Sequence, residues 1–218
     1  MLIAVVISAL AWSPVAPVAR ARAHVDRTAV PVMGLNVGVL AIQGGFAEHM
    51  AALERQGGVT ATEVRTPAEL AGVDAIILPG GESTAIGHGL VDAELLAPLR
   101  EFVKTKPCWG VCAGLILLAD KLASGATAGA ITSSNQERQP LVGGLDITVK
   151  RNAFGRQIDS AFRTMSVTHA AVGESSYFIR APSVLETGTG VEVLATLGDA
   201  VVAVKQGGLM ATCFHPEI

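Results

Sequence analysis

The sequence predicts an α/β domain built on a mostly parallel, helix-covered sheet, with antiparallel additions in its C-terminal half. Half of the 218 residues are hydrophobic and only 16% are charged, below the roughly 25% usual in soluble domains, which suits strands buried on both faces. Up to about residue 119 apolar strand-like runs alternate with helical periodicity, the pattern of βαβ crossovers and a parallel sheet. Beyond residue 140 short strands separated by turns take over, the pattern of antiparallel additions.

Residues 1–33 are set aside from this domain. The apolar run 2–12 is shorter than the roughly 20 residues a membrane-crossing helix needs, so no membrane partner is expected. Arg20, Arg22, His24 and Arg27 follow it, and Ala21-Arg22-Ala23 resembles a signal-peptidase site. No positive segment precedes the run, however, and Met33 stands directly before the first strand. The segment reads either as a targeting peptide, which would send the chain to a plastid or other organelle, or as an over-extended reading frame, which leaves it cytoplasmic.

The domain itself, 34–218, opens with a buried strand over 35–42 and a helix over 46–56 that Gly57-Gly58 stops. A strand over 59–64, a helical turn over 67–71 and a strand over 75–78 ending at Pro79-Gly80-Gly81 come next. An amphipathic helix over 92–104 leads to a strand at 108–111, a sharp turn at Cys112 and an apolar helix over 114–119. The small, polar stretch 124–140 reads as a surface loop. Strands over 145–149, 165–168, 177–179, 191–196, 200–205 and 210–214 complete the chain.

Charge excludes some functions. With a net charge of −3, no basic stripe and 4% aromatics, the chain lacks both the phosphate-tracking surface and the stacking platforms of nucleic-acid binders. Cys108, Cys112 and Cys213 are an odd set without paired spacing, which favours a reduced setting over a disulfide scaffold. Cys108 and Cys112 could form half a metal site, but apart from His215 the other half is missing, so no metal is expected.

Gly110-Val111-Cys112-Ala113-Gly114 has the form G-x-C-x-G, the thiol counterpart of a nucleophile elbow. Flanking glycines let substrate and helix approach a residue held at strained backbone angles, and the thiol should stand exposed above the sheet. A helix starting at Ala113 would favour thiolate over thiol. The alternative is a small buried hydrophobe, which does not require this pattern. His215-Pro216-Glu217 follows a strand, so His215 can serve as base to Cys112 while Glu217 accepts the other imidazole N–H. Gly80 and Gly81 supply backbone N–H groups for an oxyanion hole or form an ordinary strand-to-helix turn; spacing does not separate the two. Glu48 and His49 read as plain helix surface without a catalytic role.

Taken together, Pro79-Gly80-Gly81-Glu82-Ser83-Thr84, the G-x-C-x-G segment and Phe214-His215-Pro216-Glu217 resemble the class I, triad-type glutamine amidotransferases. Gln43-Gly44-Gly45-Phe46-Ala47-Glu48-His49, Arg151-Asn152-Ala153-Phe154-Gly155-Arg156-Gln157 and Phe178-Ile179-Arg180-Ala181-Pro182 narrow the resemblance to the glutaminase subunits of pyridoxal 5′-phosphate synthase. It implies a three-layer, flavodoxin-like fold. It also implies hydrolysis of L-glutamine by Cys112, His215 and Glu217, and passage of ammonia to a synthase subunit in a large hetero-oligomer. Gly81, Glu82, Ser83, Arg151, Ile179 and Arg180 would contact glutamine, Gln43 would couple to the partner, and no metal or organic cofactor would be needed. Opposite charges on glutamine suit Arg151 and Glu82, since arginine grips a carboxylate with two parallel bonds.

Two other readings stay open: an amidotransferase feeding a different acceptor, against which the 151–157 segment argues, and a catalytically silent interaction subunit. Family members continue with a further helix after the position of Glu217, so a truncated C-terminus is expected, with less support for the loop carrying His215 and Glu217.

Overall fold

The computed structural model describes residues 34–56, 58–123, 139–151, 161–168 and 175–218. Residues 1–33, most of the loop 124–140 and the segment Asn152 to Gln157 lie outside the described residues.

The first half follows the predicted alternation: β1 (Leu35–Leu40), α1 (Phe46–Glu54), β2 (Val59–Val64), α2 (Pro67–Ala71), β3 (Ala75–Leu78), α3 (Ser83–Asp92), α4 (Leu96–Thr105), β4 (Cys108–Val111) and α5 (Ala113–Leu118). Every residue of β3 and β4 is buried, as strands covered on both faces must be. The second half contributes β5 (Ala119–Leu122), β6 (Leu145–Lys150), β7 (Ala161–Thr164), β8 (Ser166–Val167), β9 (Ser175–Phe178), β10 (Ser183–Thr187), β11 (Glu192–Leu197), β12 (Ala200–Gln206) and β13 (Leu209–Thr212).

The main sheet runs β2-β1-β3-β4-β13-β12-β10-β6-β5, with β11 pairing β12 and β8. It is parallel from β2 to β13, then antiparallel through β12, β10 and β6, and β5 returns to a parallel pairing with β6. β7 and β9 form a separate antiparallel pair. The core runs along the parallel half, where Leu40, Leu78, Trp109, Leu115 and Phe214 are fully buried.

Some elements differ from the sequence expectation for physical reasons. Residues 83–92 form a helix that periodicity did not reveal, because Gly87 and Gly89 weaken the helical signal. Both sit at close approaches, Gly87 under Pro140 and Gly89 under Ile42. The helix expected from 92 starts instead at Leu96, after Glu94 adopts φ 56°. The apolar run after Cys112 divides at Ala119, whose ψ of 140° turns helix into strand. All six residues of α5 are buried, so no amphipathic period marks where it ends. β7 and β10 were not anticipated.

Candidate active site

The loops after β1, β3, β4 and β13 meet at the carboxyl edge of the parallel half. There the strand order reverses between β1 and β3, the place where open α/β sheets bind ligands. The first two loops are clasped together. Gly45 N–H donates to Gly80 O at 2.9 Å, and Glu82 N–H donates to Gln43 Oε1 at 2.9 Å. A cavity of about 690 Å³ opens at this edge, inside the range of about 300–1,000 Å³ usual for small-molecule sites.

Cys112 joins β4 to α5 with φ 49° and ψ −98°, a conformation that costs a non-glycine residue energy and persists only where its surroundings impose it. Those surroundings are visible. The Cys112 N–H donates to Thr212 O on β13 at 2.8 Å. A Cβ on Gly114 would run into the carbonyl of Leu78, and one on Gly110 into the backbone of Gly114, so both glycines are needed for α5 to lie against β3 and β4. The expected exposure of the thiol is corrected: Cys112 is only 8% exposed. The turn after β3 and the segment Ile179 to Pro182 flank it, so it lines a cavity rather than standing clear of the sheet.

His215 follows β13 and is strapped from both sides. Its N–H donates to Tyr177 O at 3.0 Å, and Ser176 Oγ donates to His215 O at 3.2 Å. On the side chain, Nδ1 lies 2.8 Å from Glu217 Oε1, the contact expected of a group that orients an imidazole, and it leaves Nε2 for Cys112. Burial alone would lower the imidazole pKa. The Cys112 and Glu217 hydrogen bonds outweigh burial and raise it to about 10. Burial pushes the Glu217 carboxyl up, but the bond from His215 wins and holds it below the ordinary carboxylate range. Because the folded pKa of His215 is raised, its contribution to stability is complete below its ordinary value near 6.5 and is lost as pH rises through about 10. Replacing Glu217 with Gln removes the carboxylate that supports the imidazolium. The basic limb of the kcat profile should then move down by roughly 1–3 units, as a pH titration of turnover checks.

Glu82 caps α3, its carboxylate accepting Thr84 N–H at 3.2 Å and Ala85 N–H at 2.8 Å. Arg151 Nη2 donates to the same carboxylate at 2.9 Å, while its Nη1 reaches Gln139 Oε1 at 2.9 Å and Thr84 Oγ1 at 3.1 Å. The two charges predicted to face glutamine therefore face one another. Burial pushes the Glu82 carboxyl up, yet the two helix N–H groups and Arg151 hold it below its ordinary value. Ser83 is buried, with its hydroxyl on Gln139. Gly80, Gly81, Ile179 and Arg180 complete the predicted lining, Arg180 with φ 45°. Gln43 is not in the lining; it ties the first loop to the second.

Sequence reasoning missed part of the site. Glu48, read as plain helix surface, lines the cavity together with Gly45, Ala113, Ile116, Pro182 and Ile218. His49, given the same reading, is fully buried behind Glu217. The Glu-His pair within the Gln43 to His49 motif was the available signal. Cys108 and Cys213 are fully buried and burial pushes both thiols up. Among the described residues no group of His, Cys, Asp or Glu is arranged to hold a metal ion, and no helix is long and apolar enough to cross a membrane.

The architecture is that of the glutamine amidotransferases: a crystal structure of a glutamine amidotransferase superposes with a TM-score of 0.71 at 43% identity, over 83% of this chain and 90% of that one. A glutamine amidotransferase from Thermotoga maritima shares the fold at 14% identity and a TM-score of 0.58, over 84% of this chain and 76% of its own. The chain belongs to the SNO glutamine amidotransferase family, whose profile matches residues 39–218, and is an enzyme of that class. Among its relatives is the pyridoxal 5′-phosphate synthase subunit PdxT of Mycolicibacterium smegmatis, 48% identical over 85% of this chain and 93% of the relative. The PdxT of Parafrankia sp. is 50% identical over 84% of this chain and 85% of its own.

Proposed function

We propose that Cys112, His215 and Glu217 hydrolyse the side-chain amide of L-glutamine, and that the ammonia passes to a synthase subunit for pyridoxal 5′-phosphate synthesis within a large hetero-oligomer. The observation that carries the reading is the His215–Glu217 contact of 2.8 Å beside a cysteine in an elbow on the cavity wall.

In this mechanism the Cys112 thiolate attacks the amide carbon, and the C=O electrons move onto oxygen, beside the Gly80–Gly81 turn. With an imidazole pKa raised to about 10, His215 is imidazolium near neutrality and gives its proton to the departing ammonia. A thioester remains. Water then attacks it, His215 takes the water's proton, and the thiolate leaves with glutamate released. Each step conserves atoms and charge without a cofactor.

For recognition, the substrate α-carboxylate takes over Arg151 from Glu82, and the freed Glu82 carboxylate faces the α-ammonium. A charge-assisted bond contributes about 1.5–3 kcal/mol. Replacing Arg151 with Gln should therefore raise the KM for glutamine about 10- to 100-fold while kcat stays within a few-fold. Steady-state kinetics reads this directly, and an unchanged KM would remove Arg151 from the binding set.

The test of the whole reading is glutamate and ammonia release by the full chain, alone and mixed with its synthase subunit. Turnover that rises with the partner supports it. Partner binding without turnover would favour a silent interaction subunit instead, and turnover indifferent to the partner would point to another acceptor.

A further inference from the structure

The mechanism above leaves one buried histidine unused. His49 lies on α1, which packs against β1 and β2, and its side chain is 0% exposed with Nε2 3.6 Å from Glu217 Oε1. That is the same oxygen that meets His215 Nδ1 at 2.8 Å. The His49 ring stands edge-on to Trp109 of β4, with centroids 5.9 Å apart and planes at 77°.

Five buried side-chain polar atoms lack a hydrogen-bond partner among the described residues, and four of them sit in this cluster: both ring nitrogens of His49, Nε1 of Trp109 and Oε2 of Glu217. Leaving a buried polar atom unpaired costs about 1–3 kcal/mol. An apolar side chain would fill the same helix-to-sheet space without that cost, so simple packing does not account for an imidazole here. At 3.6 Å the nitrogen lies only about 0.4 Å beyond the ordinary hydrogen-bond range.

We propose that His49 is a positioning residue for glutamine hydrolysis: it donates its Nε2–H to the Glu217 carboxylate and locks that carboxylate against His215. The proposal extends the Cys112–His215–Glu217 reading by one residue and rests on it. Glu217 is then held from two directions, which fixes the tautomer and tilt of His215 as second partners of ligating histidines do in metal sites. The groups that face His49 are Glu217 and His215 beyond β13 and Glu48 on its own helix. Burial, the largest influence, lowers the pKa of His49 and His215 adds to this, while Glu217 and Glu48 act the other way. The net lowering keeps the ring neutral, with one N–H to give.

The test compares wild type, His49→Leu and His49→Gln in complex with the synthase subunit, measuring kcat, KM and the pH profile. Leucine removes the donor, whereas the glutamine amide places an N–H near the position of Nε2. We expect His49→Leu to lower kcat about ten-fold or more, leave KM for glutamine within two-fold, and move the basic limb to lower pH. His49→Gln should recover most of kcat and the wild-type profile. Wild-type kcat and profile in a folded His49→Leu would overturn the proposal, and so would equal losses in both variants with the limb unmoved. If the leucine variant does not fold, the tautomer decides: nitrogen NMR of the histidine-labelled full chain should find His49 neutral with the proton on Nε2. A proton on Nδ1 or on both nitrogens would overturn it. Glu217→Gln separates this from the parent reading, because wild-type turnover in that variant would refute the triad whatever His49 does.

Discussion

Replacing Cys112 with alanine should lower glutamine hydrolysis by about 10³-fold or more while the protein stays folded and still binds its synthase subunit. The size of the loss follows from the absence of a substitute near the site. Cys108 and Cys213 are both fully buried, and burial pushes their thiols further from ionisation, so neither can take over the attack. Folding should survive, because alanine has no more bulk than cysteine and the turn is held by backbone contacts, among them the Cys112 N–H bond to Thr212 O at 2.8 Å. Glutamate release in the assembled complex, circular dichroism and co-elution with the partner check the three parts. Turnover retained in the variant would sink the nucleophile assignment.

The second large effect is expected on stability. Phe214 is fully buried, directly precedes His215, and its ring lies 5.5 Å from that of Phe178 with planes tilted by 52°. Truncating a buried phenylalanine to alanine costs about 3–5 kcal/mol, a large part of the roughly 5–15 kcal/mol that holds a domain together. Urea denaturation of Phe214→Ala should show a midpoint lowered accordingly, with the slope preserved. Phe178 belongs to β9, whose Tyr177 carbonyl accepts the His215 N–H at 3.0 Å. The same truncation therefore loosens the strap on His215, and kcat should fall with stability. An unchanged midpoint would mean that the ring carries none of this packing.

What the sequence disclosed and what it concealed divide by distance along the chain. The β4–Cys112–α5 turn was legible because strand, glycines and helix start lie within a few residues and their steric reasons are local. The His215–Glu217 pair was legible for the same reason. His49 was concealed because what buries it comes from far away: Trp109 from β4 and Glu217 from beyond β13. Helical spacing puts His49 on the same face of α1 as Ala52 and Leu53, but says nothing of what that face meets. The pairing of Glu82 with Arg151 was likewise hidden, since the two lie 69 positions apart and complementarity of each to glutamine says nothing of their contact with one another. In the fold, β1, β3 and β4 were marked by apolar runs that end in glycine-bearing turns, and β2 by β-branched residues after Gly57-Gly58. Helix α3 and strand β5 were missed where glycines diluted the periodicity or where complete burial erased it.

The position of β13 has a consequence for the life of the chain before it is finished. Cys112 leaves the ribosome about a hundred residues ahead of His215, and β13 then inserts beside β4, where the Thr212 carbonyl meets the Cys112 N–H. A nascent chain that has folded only its first four strands carries the Cys112 thiol but neither His215 nor Glu217. On the mechanism proposed for the site, hydrolysis waits on a long-range strand pairing, the slow kind of step in folding.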